Sequence, residues 1–211
     1  MSSILYRYGS TYYINLTNRC PCQCVFCVRN QFDTLGDADC LWLDREPTAE
    51  EIKDALRSVD LSDSDEVVFC GYGEPTERLD VVLDVAEFIH KDLRKRTRLD
   101  TNGLGCLING RDIVPELVGR IDLVSVSLNA PNEEEYLRVT KPSFGPGSYE
   151  AMLSFARECK AAGIGLRMSV VSGFISDQDV QKCASIVDSI GGRFRVRRTA
   201  RRSWRTSFIL I

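Results

Sequence analysis

Histidine is nearly absent from this sequence: His90 is the only one in 211 residues. Mixed cysteine–histidine zinc sites therefore have almost nothing to build on. No apolar run approaches the ~20 residues that a membrane helix requires. The first ten residues show neither the apolar core nor the small-residue cleavage site of a secretory signal. A cytoplasmic location and no membrane partner are the expectation. From position 193 to 211 there is no acidic residue. That stretch carries seven arginines: Arg193, Arg195, Arg197, Arg198, Arg201, Arg202 and Arg205. Subtracting these seven from the 27 basic residues leaves 20 against 30 acidic, a net −10 beneath the overall −3. The body is acidic and the tail is basic.

Cysteine, by contrast, is abundant. There are nine, an odd number, and four lie within Cys20–Pro21–Cys22–Gln23–Cys24–Val25–Phe26–Cys27. A disulfide framework spreads its cysteines and pairs them evenly. A tight cluster in a reducing compartment points to metal or redox chemistry instead. Cys20, Cys24 and Cys27 make a C-x3-C-x2-C spacing. Three thiolates from one short loop can wrap three corners of a [4Fe–4S] cube, leaving one iron without a protein ligand. Three other readings stand beside this one. All four thiols could hold zinc, though the spacing is cramped for a tetrahedron. Cys24 and Cys27 alone would form a C-x-x-C redox pair. The group could also be inert and buried. Cys40, Cys70, Cys106, Cys159 and Cys183 show no second cluster spacing and read as single thiols.

Strand-like and helix-like segments alternate along the chain. Strands are expected at 12–16, 66–70, 97–101, 123–128, 166–171 and 194–197. Helices are expected at 48–59, 78–93, 112–118, 148–162 and 176–190. Thr48 and Glu51 fit a capping box. Pro115 is expected to break or kink the third helix, and Gly163 to close the fourth. His90 reads as a surface or structural residue. Six β units with helical crossovers imply an α/β fold with parallel strands. In such folds the site gathers at the C-terminal strand ends. Here those ends carry the cysteines, Gly71–Tyr72–Gly73–Glu74–Pro75, Asn102–Gly103, Ser127–Leu128–Asn129 and Ser172–Gly173–Phe174. Residues 28–47 form a long connection, read either as a lid for substrate or partner or as an ordinary excursion.

The C-x3-C-x-aromatic-C run, with Phe26 as the aromatic, resembles the signature of the radical S-adenosylmethionine (SAM) enzymes. The resemblance covers about residues 10–198. It implies a partial (β/α)6 TIM-type barrel as one domain, 1–198, with an arginine-rich tail at 199–211. It implies a [4Fe–4S] cluster on Cys20, Cys24 and Cys27, with SAM on the open iron. SAM would be cleaved reductively to a 5′-deoxyadenosyl radical that abstracts hydrogen from a substrate. Gly71, Tyr72, Gly73 and Glu74 are similar to a Gly-Gly-Glu segment that receives the SAM amino group, with Tyr72 replacing a glycine. Residues 99–103 resemble the third-strand end of glycyl-radical-enzyme activases, which makes Asp100 and Thr101 candidates near the SAM carboxylate. Both also read as turn chemistry before Asn102–Gly103. Ser127 and Asn129 stand where family members carry ribose or carboxylate contacts, and strand alternation puts 125, 127 and 129 on one face. The activases carry an acid and a lysine there, which this chain lacks. Arg167 and Ser169 share a face of the fifth strand and are expected to point into the site.

The strand motifs resemble most the small radical SAM proteins linked to TatD-type DNases, which implies a functional link to such a DNase. Glycyl-radical-enzyme activases and 7-carboxy-7-deazaguanine synthase are the alternative relatives. A non-catalytic iron–sulfur or zinc protein binding nucleic acid through its arginines is the alternative of another class. The resemblance also implies an electron donor such as flavodoxin or ferredoxin. No motif names the substrate. The tail is read as an irregular extension whose apolar Phe208–Ile211 docks on the open barrel edge.

Overall fold

The computed structural model describes residues 2–198. The chain opens with a strand the sequence reading did not anticipate, β1 (Leu5–Tyr8), paired antiparallel with β2 (Thr11–Ile14). Tyr8 and Thr11 face each other across a tight turn in which Gly9 takes a φ of 64°. The remaining elements follow in order: α1 (Ala49–Arg57), β3 (Glu66–Phe69), α2 (Leu79–Phe88), β4 (Arg96–Thr101), α3 (Gly105–Asn109), α4 (Val114–Leu117), β5 (Leu123–Ser127), α5 (Glu133–Thr140), α6 (Ser148–Ala161), β6 (Gly165–Val171), α7 (Asp177–Ile190) and β7 (Arg193–Arg197). The strands form one sheet in sequential order, and β2 through β7 are all parallel. The six parallel β units are the six expected.

Local chemistry sets the helix ends. The Thr48 hydroxyl accepts from the Glu51 amide, and the Glu51 carboxylate reaches back to the Thr48 amide, closing the capping box that starts α1. Ser176 caps α7, its hydroxyl accepting from the Asp179 amide. Helix α2 is shorter than the expected 78–93. Residues Ile89–Leu93 widen into a π turn that ends where Arg94 adopts a left-handed φ of 55°. Pro115 starts α4 rather than kinking it, since a proline lacks only a donor the first turn does not use. His90 is structural: its ring bonds the Gly119 carbonyl and the Asp122 carboxylate.

One sheet face packs on the helices. Val67, Phe69, Leu99, Val124, Val126, Met168 and Val170 are completely buried there. Each such side chain contributes about 1.5–3 kcal/mol of burial. The opposite, inner face carries the alternate residues. At its β1–β3 end Tyr6, Tyr13, Val68 and Tyr72 form a second apolar cluster with Ala38 and Leu41 from the 28–47 connection. That connection is a packed cover: Trp42 meets Tyr72 edge to face, and the Tyr72 hydroxyl donates to the Phe32 carbonyl. The arginine tail at 199–211, including Phe208–Ile211, lies outside the described residues.

Candidate active site

The cysteine loop leaves the end of β2 and is strapped down from two sides. On one side the Gln23 amide donates to the Thr140 carbonyl and the Val25 amide to the Val139 carbonyl. Cys22 pairs with Pro142 in an isolated bridge, and the Ser143 amide donates to the Pro21 carbonyl. The C-terminal end of α5 is therefore one wall of the loop. The sequence reading missed α5, although Asn132 caps it at the Glu135 amide and three glutamates fill its first turn. On the other side Arg29 donates to the carbonyls of Asn18, Tyr72 and Cys22 at 3.3–3.5 Å.

Cys20, Cys24 and Cys27 line a cavity of about 220 Å³. Tyr6, Cys70, Asp100, Ser127, Val171 and Arg197 line it too, from the other strands. A sheet whose first and last strands border one cavity must curl around it. Burial pushes the Cys27 thiol up. Cys20 is held down, chiefly because the Cys22 thiol donates to it. Cys22 lies between Cys20 and Cys24 and is raised strongly by those hydrogen bonds and by burial. Cys22 is thus a persistent thiol beside a more readily ionised Cys20. Among the described residues, no three Cys, His, Asp or Glu side chains are disposed to hold a single metal ion. A four-iron cube separates its thiolates further than one ion does, and its donor set is sulfur.

The Gly71–Glu74 segment follows β3. Its glycines serve close backbone contact. A Cβ on Gly71 would lie 2.0 Å from Asn15 Oδ1, and one on Gly73 would lie 2.2 Å from the Thr17 carbonyl oxygen. Both positions let the segment lie against the chain entering the cysteine loop. The Glu74 amide donates to the Arg19 carbonyl at 2.8 Å and locks the two segments together. The Glu74 side chain, 3% exposed, accepts from the Thr76 amide, the Thr76 hydroxyl, the Thr101 hydroxyl and the Asn102 amide. Burial raises its carboxyl, and these four donors oppose that rise. Its carboxylate thus joins the ends of β3 and β4. Gly71, Tyr72, Gly73 and Glu74 all border the cavity. Thr101 also borders the cavity; its hydroxyl donates to Glu74 and accepts from the Gly103 amide.

Asp100 reaches the cavity and sits 2.9 Å from Arg98 Nε, out of hydrogen-bond alignment. Ser127 also lines it, and its hydroxyl accepts from Arg197 Nη2 at 2.8 Å. Asn129 lies beyond the end of β5, with a left-handed φ of 60°. Its Oδ1 and the Asn102 Nδ2 are buried without a protein partner, and both residues border the cavity. Buried polar atoms without partners are costly unless a ligand or water satisfies them. The cavity is therefore suited to a polar ligand beside three thiols. Phe26 borders it as well, packed edge to face on Phe174. Bordering residues that the sequence reading did not assign to the site include Tyr6, Cys70, Tyr136 and Arg197. Burial pushes the Cys70 thiol up to about 12. Arg197 was legible in principle, because Arg193, Arg195 and Arg197 repeat at strand period.

The sequence profile of the radical SAM superfamily matches residues 14–186. The chain belongs to that superfamily. Its members use SAM together with an iron–sulfur cluster, a pair that the sulfur donors and the unsatisfied polar atoms of this cavity fit. Solved structures agree on the fold. SuiB of Streptococcus suis bound to its precursor peptide SuiA superposes with a TM-score of 0.65 at 18% identity, covering 89% of this chain and 39% of that one. Methylornithine synthase gives 0.66 at 13% identity over 90% and 53%. The protein anSMEcpe with bound AdoMet gives 0.62 at 16% over 89% and 50%. This chain spans between two fifths and a little over half of each neighbour's length. No curated protein matches the chain. Among the described residues no helix is long and apolar enough to cross a membrane.

Proposed function

We propose that this chain is a radical SAM enzyme in which Cys20, Cys24 and Cys27 hold a [4Fe–4S] cluster and the adjoining cavity receives SAM. When bound, this pair supplies reductive cleavage of the sulfonium and a carbon radical that takes hydrogen from a substrate. The observation that carries the reading is the cavity itself. It brings the three motif thiols to the same space as strand ends from β3, β4 and β5, with partnerless polar atoms at Asn102 and Asn129. Carbonyls of the Gly71–Glu74 segment can accept from the SAM ammonium. The α5 end and Arg29 hold the loop in shape, and the 28–47 cover keeps water from the inner face at the β1–β3 end. The strand-end motifs favour the subgroup linked to TatD-type DNases, and a flavodoxin or ferredoxin is the fitting electron donor. All nine cysteines are free thiols, which supports a reducing cytoplasm.

The test is anaerobic reconstitution with iron and sulfide, reduction by dithionite, and addition of SAM. The expected product is 5′-deoxyadenosine, absent from a Cys24→Ala control. Equal yields from both proteins would overturn the proposal.

A further inference from the structure

The inner face of the sheet changes character from one end to the other. At β1–β3 it is apolar and covered. In the middle, the two inward acids Glu66 and Asp100 both pair with the buried Arg98. At β6–β7 it turns cationic. The helix-facing residues of β6 are Leu166, Met168 and Val170, so Arg167, Ser169 and Val171 face inward. On β7 Phe194 packs against the helix-side core, so Arg193, Arg195 and Arg197 take the inner side. The register sets Arg167 opposite Arg193, Ser169 opposite Arg195 and Val171 opposite Arg197.

Among the described residues, none of Arg167, Arg195 and Arg197 pairs with a carboxylate. Arg197 spends its bonds on the hydroxyls of Ser127 and Ser169. Arg167 is half-buried, and it is held below the ordinary arginine range by desolvation and by the charges of Arg98 and Arg195, against the smaller opposing pull of Asp100 and Glu66. Clustered, partly desolvated guanidinium groups whose nearest acids, Glu66 and Asp100, are already paired with Arg98 destabilise the fold by mutual repulsion. They gain strength toward an anion for the same reason. Residues two apart on a strand are separated by about 6.8 Å, and neighbouring strands by about 4.8 Å. On that grid the backbones of Arg167 and Arg197 are about 14 Å apart, but the Arg197 head reaches back to Ser169, opposite Arg195, so the three side chains can approach one oxyanion between them. Only Arg197 borders the cysteine cavity; Arg167 and Arg195 do not. The cationic face therefore runs on from the cysteine end toward the N-terminal ends of the strands.

We propose that Arg167, Arg195 and Arg197 bind a carboxylate or phosphate group of the substrate, which makes the substrate an anionic small molecule. The assignment rests on the radical SAM reading for the word substrate, and on the inner face alone for the anion. An anchor there places the remainder of the molecule toward the cysteine cavity.

The anion site can be tested without the cluster. Calorimetric titration of the cluster-free protein with inorganic pyrophosphate, and separately with succinate, should show binding of at least one; which one binds tells phosphate from carboxylate. Arg195→Gln and Arg167→Gln should each weaken it about tenfold, the scale of one charge-assisted bond. Arg195→Lys should recover part of the loss. Both glutamine variants should melt no lower than the unaltered protein without ligand, because they relieve repulsion. The reconstituted glutamine variants should keep their affinity for SAM. No binding of either anion, or binding by both glutamine variants as tight as that of the unaltered protein, would overturn the proposal. A loss of SAM affinity matching the loss of anion affinity would also overturn it, by assigning the arginines to SAM. Failure of 5′-deoxyadenosine formation, with anion binding intact, would strike the radical SAM reading instead.

Discussion

The Thr101 hydroxyl donates to Glu74 Oε1 at 2.7 Å, and the neighbouring Asn102 amide donates to Oε2 at 2.8 Å. One carboxylate thus clasps the end of β4 to the segment leaving β3. Removing it leaves the Thr76 and Asn102 amides without their acceptors in a buried site. Glu74→Ala should cost about 1–3 kcal/mol for each donor stranded, within a total limited by relaxation. Urea denaturation of the cluster-free protein measures it.

The same group gives a pH signature. Burial sets the native Glu74 carboxyl above its unfolded value, so the folded chain holds this proton more tightly. Its contribution is therefore greatest below the unfolded carboxylate range and declines as pH rises through the native pKa. The difference in unfolding free energy between the unaltered protein and Glu74→Gln should shift in that direction between about pH 4 and neutrality. A difference independent of pH would show that the native and unfolded pKa values coincide.

Gly71 and Gly73 differ in what they press against. A methyl at Gly73 meets only backbone, at the Thr17 and Arg19 carbonyls, whereas one at Gly71 first meets the Asn15 side chain. Gly73→Ala should therefore be the more damaging, by roughly 1–3 kcal/mol or more. Thermal melting of the two variants should rank them so. It should also show that Asn15→Ala relieves Gly71→Ala in part and leaves Gly73→Ala unaffected.

The sequence carried the parallel sheet because alternation and turn residues repeat with every β unit. It carried the cysteine loop because the three motif cysteines lie within eight residues. β1 was hidden, since a four-residue strand beside a two-residue turn leaves little periodic signal. α5 was hidden because its first turn is all acid and its buried positions, Tyr136, Val139 and Thr140, read as unpatterned. The function of Glu74 was hidden for a different reason. Its four donors come from Thr76, Thr101 and Asn102, and only the fold brings residues 101 and 102 to it. Residue type told that a carboxylate was there; it did not tell that four donors already bind it.

Arg98 carries the charge balance of the inner face. It is 5% exposed, pairs with Glu66 and Asp100, and lies over the Tyr13 ring with its Cζ 5.8 Å from the centroid. Arg98→Met strands two acids, and the loss should be about 3–5 kcal/mol. Adding Glu66→Gln and Asp100→Asn should return much of it, since no uncompensated charge then remains. Denaturation midpoints across this series decide the matter. An additive decline would show that the three residues do not act as a unit.

The ligand assignment in the cysteine loop separates Cys22 from its neighbours. Cys22 is 3% exposed, tied to Pro142 by its backbone bridge, and raised strongly by Cys20 and Cys24. A thiol held protonated is a poor iron ligand and a suitable donor to a ligand sulfur. Cys22→Ser preserves a donor of similar size. It should keep nearly the full iron and sulfide content after anaerobic reconstitution, with a modest change in the visible cluster absorption. Cys20→Ser, Cys24→Ser and Cys27→Ser should each lose most of the iron. Equal loss in all four would make Cys22 a ligand, and with it the three-thiolate loop and its open iron would fall.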